Sequence, residues 1–231
     1  MKAKLFITTL LILLIVPFVS ADERVKGNGK LEKLVVEIDE FNAIRVDAII
    51  DLVYEQSEGA PTLEVTLDEN LHPFVKAEIK NRTLHLGFTG AKVDHFTKFV
   101  VKASSTWLSE VRLDENAGFH IEGPLKGDAF KIRAGASALV ELKNPIEVGK
   151  LTIDASNSSN IIVENAQIDE IDASAGVKAT IYLKGGQAKL GKYSSVSGGE
   201  IFGLGFDVPV LSCSITGNGT IEAFCSNALK A

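Results

Sequence analysis

A five-residue pattern recurs through the second half of the chain and constrains its fold more than any other feature. Each copy is a short strand-like run that ends in small residues. The copies, which begin 21, 18, 23 and 19 residues apart, are Arg133-Ala134-Gly135-Ala136-Ser137, Asp154-Ala155-Ser156-Asn157-Ser158, Asp172-Ala173-Ser174-Ala175-Gly176, Ser195-Val196-Ser197-Gly198-Gly199 and Ser214-Ile215-Thr216-Gly217-Asn218. Self-similarity at a period near twenty residues is typical of a β-solenoid. The pattern therefore predicts an all-β protein, a parallel β-helix with coils of about 20 residues.

Strand alternation assigns the side chains of each copy to the inside or the outside of the stack, because successive side chains point to opposite faces. One inward column contains Ile132, Ile153, Ile171, Ser194 and Cys213, and a second contains Ala134, Ala155, Ala173, Val196 and Ile215. An outward column contains Gly135, Ser156, Ser174, Ser197 and Thr216, followed by corners rich in Ala, Asn and Gly. The axial core is predicted to consist of like residues stacked on like.

The N-terminal half reads as a less regular β region. Short runs of alternating residues occur in it, among them 34–38, 43–46, 51–54, 63–67, 83–88 and 98–102. A segment from Asn70 to Lys80 could hold one helical turn, which Pro73 limits. Val111 lies 21 residues before Ile132, so the regular register is expected to start one coil before the clearest copies. The N-terminal strands and the tail 227–231 are candidate caps for the open ends of the stack.

The first 21 residues resemble a secretory signal peptide. Lys2 and Lys4 precede an apolar run from Leu5 to Val16, and small residues precede the expected cleavage after Ala21. The alternative is a membrane anchor, but the run is short for a bilayer core that needs about 20 residues. We therefore expect a cleaved signal peptide, 1–21, and one β-helix domain, 22–231, located in the periplasm, on the outer cell surface or outside the cell, with no further membrane span.

Charge and cysteine content narrow the classes of partner. The formal net charge is −6, and no basic stripe reverses it, which argues against nucleic acid or an anionic membrane as a partner. The cysteines, Cys213 and Cys225, both fall in the last coil. In an exported chain they could form a disulfide that closes the end of the stack, or they could remain two buried thiols. Their spacing does not decide between these.

One constellation of charged residues could bind a ligand. The alignment of the copies places Arg133, Asp154 and Asp172 in one outward column on three successive coils, which lie about 4.8 Å apart. Arg133 would then pair with Asp154, while Asp154 and Asp172 would be close enough to hold a cation or to raise one pKa. The alternative is a solvated ladder of charges without a ligand.

Other chemistries lack their usual patterns. The four histidines are scattered without metal-ligand spacing, the serines do not sit in a nucleophile elbow, and the Gly-Asn-Gly stretches do not open helices. Asp68-Glu69-Asn70 reads first as a turn that ends a strand. Aromatic residues are sparse, although Trp107, Phe202 and Phe206 could form a small patch. We predict no catalytic residues, no metal site and no cofactor.

The chain resembles the family of the "putative auto-transporter adhesin, head GIN domain". The resemblance rests on the order and spacing of several short motifs, which are Gly27-Asn28-Gly29, Phe41-Asn42-Ala43-Ile44-Arg45-Val46, Asp51-Leu52-Val53-Tyr54, Leu63-Glu64-Val65, Asp68-Glu69-Asn70-Leu71, the run from Val75 to Ile79 and Thr83-Leu84-His85-Leu86. It covers the whole expected mature chain. The resemblance implies a right-handed parallel β-helix of the bacterial envelope with an adhesin-like role, and it supplies no catalytic residues.

Three functions remain in view from the sequence. The first is a non-enzymatic secreted or envelope-associated β-helix that binds a glycan or a protein along a flat face. The second is a polysaccharide lyase or hydrolase that uses Asp154 and Asp172, with Arg133 as a charge-stabilising neighbour. The third is a scaffold that only spaces envelope partners. The sequence does not predict the oligomeric state.

Overall fold

The computed structural model describes residues 24–230, and these residues consist almost entirely of β-strands. The predicted signal peptide falls outside them. The N-terminal region contains β1 (Arg24–Lys26), β2 (Leu31–Val36), β3 (Ala43–Val46), β4 (Asp51–Gln56), β5 (Thr62–Asp68), β6 (Val75–Lys80), β7 (Thr83–Phe88), β8 (Lys92–His95) and β9 (Val100–Ser105). A 3₁₀ helix, Glu69–Phe74, separates β5 from β6 and contains Pro73. The predicted helical turn is therefore confirmed, but it ends earlier than Lys80.

The rest of the chain is regular. Its strands are β10 (Glu110–Leu113), β11 (Gly118–Glu122), β12 (Leu125–Ala134), β13 (Leu139–Leu142), β14 (Ile146–Ala155), β15 (Asn160–Val163), β16 (Ala166–Gly176), β17 (Thr180–Leu183), β18 (Gly186–Val196), β19 (Glu200–Asp207), β20 (Val210–Thr216), β21 (Thr220–Phe224) and β22 (Ala228–Lys230). Each strand pairs in parallel with the strand one coil away. The predicted stack of parallel coils is confirmed as a β-solenoid of about 6 turns. No helix between Arg24 and Lys230 is long and apolar enough to cross a membrane.

Each regular coil has three sides. Pairing within the long strands is interrupted at Asp128, Gly149, Asp169 and Lys189, so each long strand bends there and contributes to two sides. We call the ladder of β10, β20, β22 and the second parts of β12, β14, β16 and β18 face A. The ladder of β11, β13, β15, β17, β19 and β21 is face B. The first parts of β12, β14, β16 and β18 form face C.

The register differs from the predicted one in the middle coils. The two inward columns of face A are Val111, Ile132, Ile153, Ala173, Tyr193 and Cys213, and Leu113, Ala134, Ala155, Ala175, Ser195 and Ile215. The start at Val111 is thus confirmed, as are the positions in the coils of Ile132, Ile153 and Cys213. The assignments of Ile171, Ser194, Ala173 and Val196 were wrong. The following outward column contains Gly176 and Val196, not Ser174 and Ser197.

The reason for the slip is that small residues fill several adjacent positions of these coils. In the run Asp172-Ala173-Ser174-Ala175-Gly176, a shift of two residues still places alanine inward. The larger apolar residues fix the true register: Ile171 is buried and pairs with Leu151 in the column that begins at Phe130. The equivalent positions, Arg133, Asp154, Ser174, Ser194 and Ser214, are therefore almost evenly spaced along the chain.

Stacked tight turns join face A to face B. In the five turns from 114–117 to 196–199, a backbone N–H donates to the carbonyl three residues before it, as from Ala138 to Gly135 and from Ala179 to Gly176. The two central residues have positive φ, which is the geometry of a type I′ turn. Asn157 and Ser158 tolerate this conformation, whereas Val177 at φ 41 is β-branched and strained. Small residues such as Ala117, Ala138 and Ala179 follow the turns and are fully buried.

The interior consists of continuous apolar columns. On face B, the inward column contains Val101, Leu52, Phe119, Val140, Ile161, Ile181 and Ile201, all fully buried. Full burial of one such aliphatic or aromatic side chain contributes about 1.5–3 kcal/mol. Because each coil contacts only its neighbours, these columns and the parallel strand ladders together join the coils.

The N-terminal coils are not stacked in sequence order. One edge of β3 pairs with β10, and one edge of β4 pairs with β11. The other edge of β3 pairs with β7, and the other edge of β4 pairs with β9. The coil of β3 and β4 therefore lies between the coil of β7 and β9, which is nearer the N-terminal end of the stack, and the coil of β10 and β11, where the regular stack begins. The outer edges of β7 and β9 pair in antiparallel fashion with β6 and β5, and β5 pairs with β2. The predicted N-terminal cap is thus confirmed.

Two of the quoted motifs contact each other beside this cap. The carboxylate of Asp68 is fully buried and accepts hydrogen bonds from the Gly29 amide at 2.7 Å, the Thr97 amide at 2.7 Å and the Thr97 hydroxyl at 2.9 Å. A Cβ on Gly27 would lie 2.4 Å from that carboxylate. The segment Gly27-Asn28-Gly29 therefore packs closely against the C-terminal end of β5. The end of β5 at Asp68 agrees with the predicted strand end.

Candidate functional site

The structure brings two of the three predicted ligand-binding residues together. Arg133 and Asp154 are register partners on adjacent coils of face A. The next residue in their outward column is Ser174, and Asp172 instead pairs with Thr152 and Lys192 in the neighbouring column. The predicted column of Arg133, Asp154 and Asp172 is therefore wrong at Asp172, as a consequence of the register slip described above.

The predicted ion pair between Arg133 and Asp154 is replaced by two other pairs. Arg133 Nε lies 3.0 Å from Glu110 Oε1, and Lys131 Nζ lies 3.0 Å from Asp154 Oδ2. Both pairs are diagonal across adjacent strands, because the register partner of Glu110 is Lys131 and the register partner of Asp154 is Arg133. All four side chains are 31–47% exposed, so each pair contributes little to stability and its members remain open to a ligand.

The outward column continues as a ladder of arginines towards the N-terminal end. Arg45, Arg112 and Arg133 are stacked on successive coils. Two of them pair with an aspartate two residues later: Arg45 with Asp47 at 2.9 Å and Arg112 with Asp114 at 3.2 Å. The hydrogen bond and charge of Asp47 raise the pKa of Arg45. The position two residues after Arg133 is Gly135, which is equivalent to Asp47 and Asp114. Arg133 therefore has no acidic partner at this position.

The missing side chain at Gly135 leaves an open depression of about 310 Å³ in face A. A Cβ at this position would lie 3.2 Å from Asp114 Oδ1 and 3.7 Å from Ser156 Oγ, so these two side chains approach each other across the glycine. The polar lining consists of Arg112, Asp114, Arg133, Asp154, Ser156 and Asn157. We call this depression the Gly135 site.

The Gly135 site offers donors and acceptors of both charges. Two guanidinium groups supply fixed donors, two carboxylates supply acceptors, and Ser156 and Asn157 can do either. A ligand with many neutral hydroxyl groups could use all of them without leaving a buried charge unpaired. Sequence reasoning missed Arg112 and Asp114 as site residues. The signal was present, because the same segment was already aligned one coil before Arg133.

Asp154 and Asp172 do not share a column. Asp154 and Asp172 lie on adjacent strands, but their register positions differ by two residues, so their Cα atoms are separated by about 8 Å along a diagonal. Asp154 is already paired with Lys131. Within residues 24–230, no three side chains of His, Cys, Asp or Glu are grouped as metal ligands.

Aromatic residues do not form the patch expected from the sequence. Phe206 is fully buried, whereas Trp107 is 39% exposed. On face B, Phe202 instead stacks on Tyr182, with ring centroids 5.3 Å apart and an interplanar angle of 17°. Rings stacked in this way along the solenoid present their edges to solvent, so the pair stabilises the coil contact rather than offering a flat surface to a sugar ring.

Both cysteines lie in the last coil, as expected. Each is a half-buried free thiol, and Cys225 Sγ lies 3.5 Å from the carbonyl oxygen of Pro209. Burial raises the pKa of the Cys213 thiol, and the nearby Cys225 raises it further. Both cysteines pack against the apolar core, and the raised pKa of Cys213 is the opposite of what a reactive nucleophile needs.

The comparisons with known proteins agree with this fold. The family model "Putative auto-transporter adhesin, head GIN domain" matches residues 40–231. The crystal structure of a "putative adhesin" from Parabacteroides merdae is 42% identical, with a TM-score of 0.82, over 90% of this chain and 98% of that one. A "putative adhesin" from Parabacteroides distasonis is 46% identical, with a TM-score of 0.85, over 87% and 84% of the two chains.

A more distant structure shares the fold alone. It is a "putative lipid binding protein" from Parabacteroides distasonis, 23% identical, with a TM-score of 0.77 over 90% of this chain and 99% of that one. No curated protein matches the chain. The adhesin-like relatives are consistent with a surface or exported binding protein.

Proposed function

Because the chain belongs to the family of the "putative auto-transporter adhesin, head GIN domain", we propose that it is a non-enzymatic binding module, exported to the envelope, that recognises a glycan on face A. The observation that carries this proposal is the Gly135 site. It gathers both charge types and neutral polar groups in an open depression on a rigid stack. A flat, rigid face suits an extended partner because little ordering is needed on binding.

The site assigns a role to each charged residue. Arg133 and Arg112 donate to ligand hydroxyl or carboxylate oxygens, and Asp154 accepts from hydroxyl groups. Lys131 and Glu110 hold Asp154 and Arg133 in place through their ion pairs. Asp172 lies outside the depression and has no role in binding under this proposal.

Oligosaccharide binding by the purified mature chain tests the proposal. An array of neutral and acidic bacterial and host oligosaccharides should give at least one ligand, whose affinity is then measured by calorimetry. Each lost hydrogen bond to a charged group costs about 1.5–3 kcal/mol. The double variant Arg133→Ala/Asp154→Ala should therefore bind at least about tenfold more weakly.

Asp172→Ala is the matched control, since it removes a carboxylate from the same face outside the depression. Gly135→Gln, which fills the depression without removing a charge, should abolish binding while leaving the circular dichroism spectrum unchanged. Equal affinity of the wild type and the Arg133/Asp154 double variant would refute the site. Cleavage of a polysaccharide by the purified protein would refute the non-enzymatic role.

A further inference from the structure

A further depression, of about 330 Å³, lies on face C. Its polar lining consists of Gln167, Asp169, Gln187, Lys189 and Asp207, and its apolar floor includes Ile168 and Ala188, which are almost fully buried. Sites for small molecules combine an apolar floor with a few polar groups in this way. We call this depression the face C site.

One outward column of face C changes in character where it enters this site. Its members on successive coils are Lys126, Glu147, Gln167, Gln187 and Asp207. Lys126 Nζ lies 2.8 Å from Glu147 Oε2, so the first two side chains neutralise each other. The next two are exposed amides on adjacent coils, about 4.8 Å apart. Each amide can both donate and accept hydrogen bonds, so the column offers a ligand paired donors and acceptors.

Asp207 contributes a carboxylate without a partner among residues 24–230. It takes part in none of their ion pairs, and its Oδ1 is buried without a hydrogen-bond partner. Its register partners are Gln187 on one side and Phe224 on the other, so a coil lies on each side of it. A buried acceptor without a donor bears a desolvation cost that a bound donor offsets. Because the side chain is partly exposed, rotation about its χ1 and χ2 torsions brings a carboxylate oxygen to a ligand in the site.

The charges of the site favour a neutral ligand. Lys189 Nζ lies 2.6 Å from Asp169 Oδ1, which leaves Asp207 as the one uncompensated charge of the lining. A metal ion prefers several carboxylates, but no three side chains of His, Cys, Asp or Glu in the described part of the chain are grouped as metal ligands. An anion would be repelled by both aspartates. Hydroxyl groups use the donors and the acceptors of the glutamine amides, whereas a cation uses only the acceptors.

We propose that the face C site binds a neutral sugar unit, which gives the chain two saccharide sites on different sides of the solenoid. The sugar hydroxyls donate to Asp207 and exchange hydrogen bonds with Gln167 and Gln187, while the C–H groups of the ring pack on the apolar floor. This site shares no residue with the Gly135 site on face A. Binding at face C does not depend on the Gly135 site, whereas the presence of two sites rests on the function proposed for it. Two sites on one rigid stack bind a polysaccharide more tightly than either alone when both engage the same molecule.

Nuclear magnetic resonance of the purified mature chain tests the face C site. D-Glucose, D-galactose, D-mannose and N-acetyl-D-glucosamine are titrated separately, and at least one is expected to shift the side-chain amide signals of Gln167 and Gln187. Asp207→Asn should raise the dissociation constant at least about tenfold, because a hydrogen bond to a charged acceptor is lost. Gln187→Ala, on the exposed surface, provides a second variant if Asp207→Asn prevents folding, and it should weaken binding as well.

Glu147→Gln is the matched control, because it replaces a carboxylate by an amide in the same column outside the site. It should leave the dissociation constant unchanged. The proposal is overturned if none of the four sugars shifts the glutamine signals, if Glu147→Gln weakens binding equally, or if only Ca²⁺ or lysine amide produces the shifts. The Arg133→Ala/Asp154→Ala variant should retain the shifts, so failure at face C and failure at the Gly135 site are distinguished.

Discussion

At the scale of single residues, two buried tyrosines of the core differ in how their hydroxyl groups are satisfied. Tyr54 donates to Ser105 O at 3.2 Å and lies 3.0 Å from Ser105 Oγ. Tyr193 is equally buried, but no atom of the described residues is within hydrogen-bond distance of its hydroxyl. Burial raises the pKa of both hydroxyls, that of Tyr54 to about 12, so both are neutral at physiological pH. The Tyr193 hydroxyl therefore bears a desolvation cost that no hydrogen bond offsets.

Removal of the Tyr193 hydroxyl should stabilise the protein. Tyr193→Phe is expected to raise the free energy of unfolding by about 1 kcal/mol, because it removes an unpaired polar group without opening a cavity. Tyr54→Phe is the matched control and should lower the same free energy by about 1 kcal/mol, since the hydrogen bond between the Tyr54 hydroxyl and Ser105 is lost. Urea unfolding measures both. Destabilisation of similar size in both variants would contradict the interpretation.

Asp68 is the residue whose ionisation matters most for the cap. Its burial acts to raise its pKa, but the hydrogen bonds from Thr97 and Gly29 outweigh burial, and the pKa lies below its usual value. A carboxylate with a lowered folded-state pKa stabilises the protein above its unfolded pKa of about 4. That contribution is lost as the pH falls through the lower folded-state value.

Asp68→Asn should therefore remove part of the acid sensitivity of the cap. At pH 7 the variant should lose about 2–3 kcal/mol, since three hydrogen bonds lose their charged acceptor. As the pH falls from 7 through the lowered folded-state pKa of the wild-type carboxylate, the difference should shrink. Urea unfolding across this pH range tests both points. Glu69→Gln, an exposed neighbour, should show neither effect, and an unchanged difference at low pH would disprove the role of ionisation.

At the scale of elements, the sequence predicts the type of repeat better than its alignment. The turn residues and the alternation around Ile132 and Ile153 correctly predicted strands, coils and inward columns. The register failed at Asp172, because Ala173 and Ala175 are interchangeable inward residues and a slip of two keeps the same faces. Only tertiary pairing of Ile171 with Leu151 resolves that ambiguity.

The candidate site shows the same limit. Arg133 and Asp154 could be predicted, because their copies are adjacent and clear. The depression itself depends on an absent side chain at Gly135 flanked by Asp114, and on the choice of Lys131 rather than Arg133 as the partner of Asp154. Such diagonal pairings depend on side-chain conformations, which a column alignment does not contain.

The last coil supplies a prediction at this scale. Since the Cys213 and Cys225 thiols are both half-buried and both pack against the apolar core, we predict that a disulfide oxidant joins them and closes a loop of about 12 residues, which would stabilise the fold by about 3 kcal/mol. Thiol titration and thermal unfolding before and after oxidation measure the two effects. Cys225→Ser should remove both. Two thiols that remain titratable after oxidation would show that the pair does not form.

At the scale of the whole molecule, the two ends of the stack are unequal. Within residues 24–230, interior coils contact neighbours on both sides, the N-terminal end is covered by antiparallel strands, and the last described coil contacts one neighbour only. In a solenoid, stability is roughly the sum of coil terms and nearest-neighbour terms. The coil with a single neighbour should therefore open first.

Amide hydrogen exchange should reveal this gradient. In dilute protein, exchange is expected to be slowest in β11, β13 and β15, and fastest in β20, β21 and β22, because opening free energies fall towards an unpaired end. Exchange that is fastest at the N-terminal cap would contradict this gradient, because the same nearest-neighbour energetics would then place the weakest interface at the opposite end of the stack.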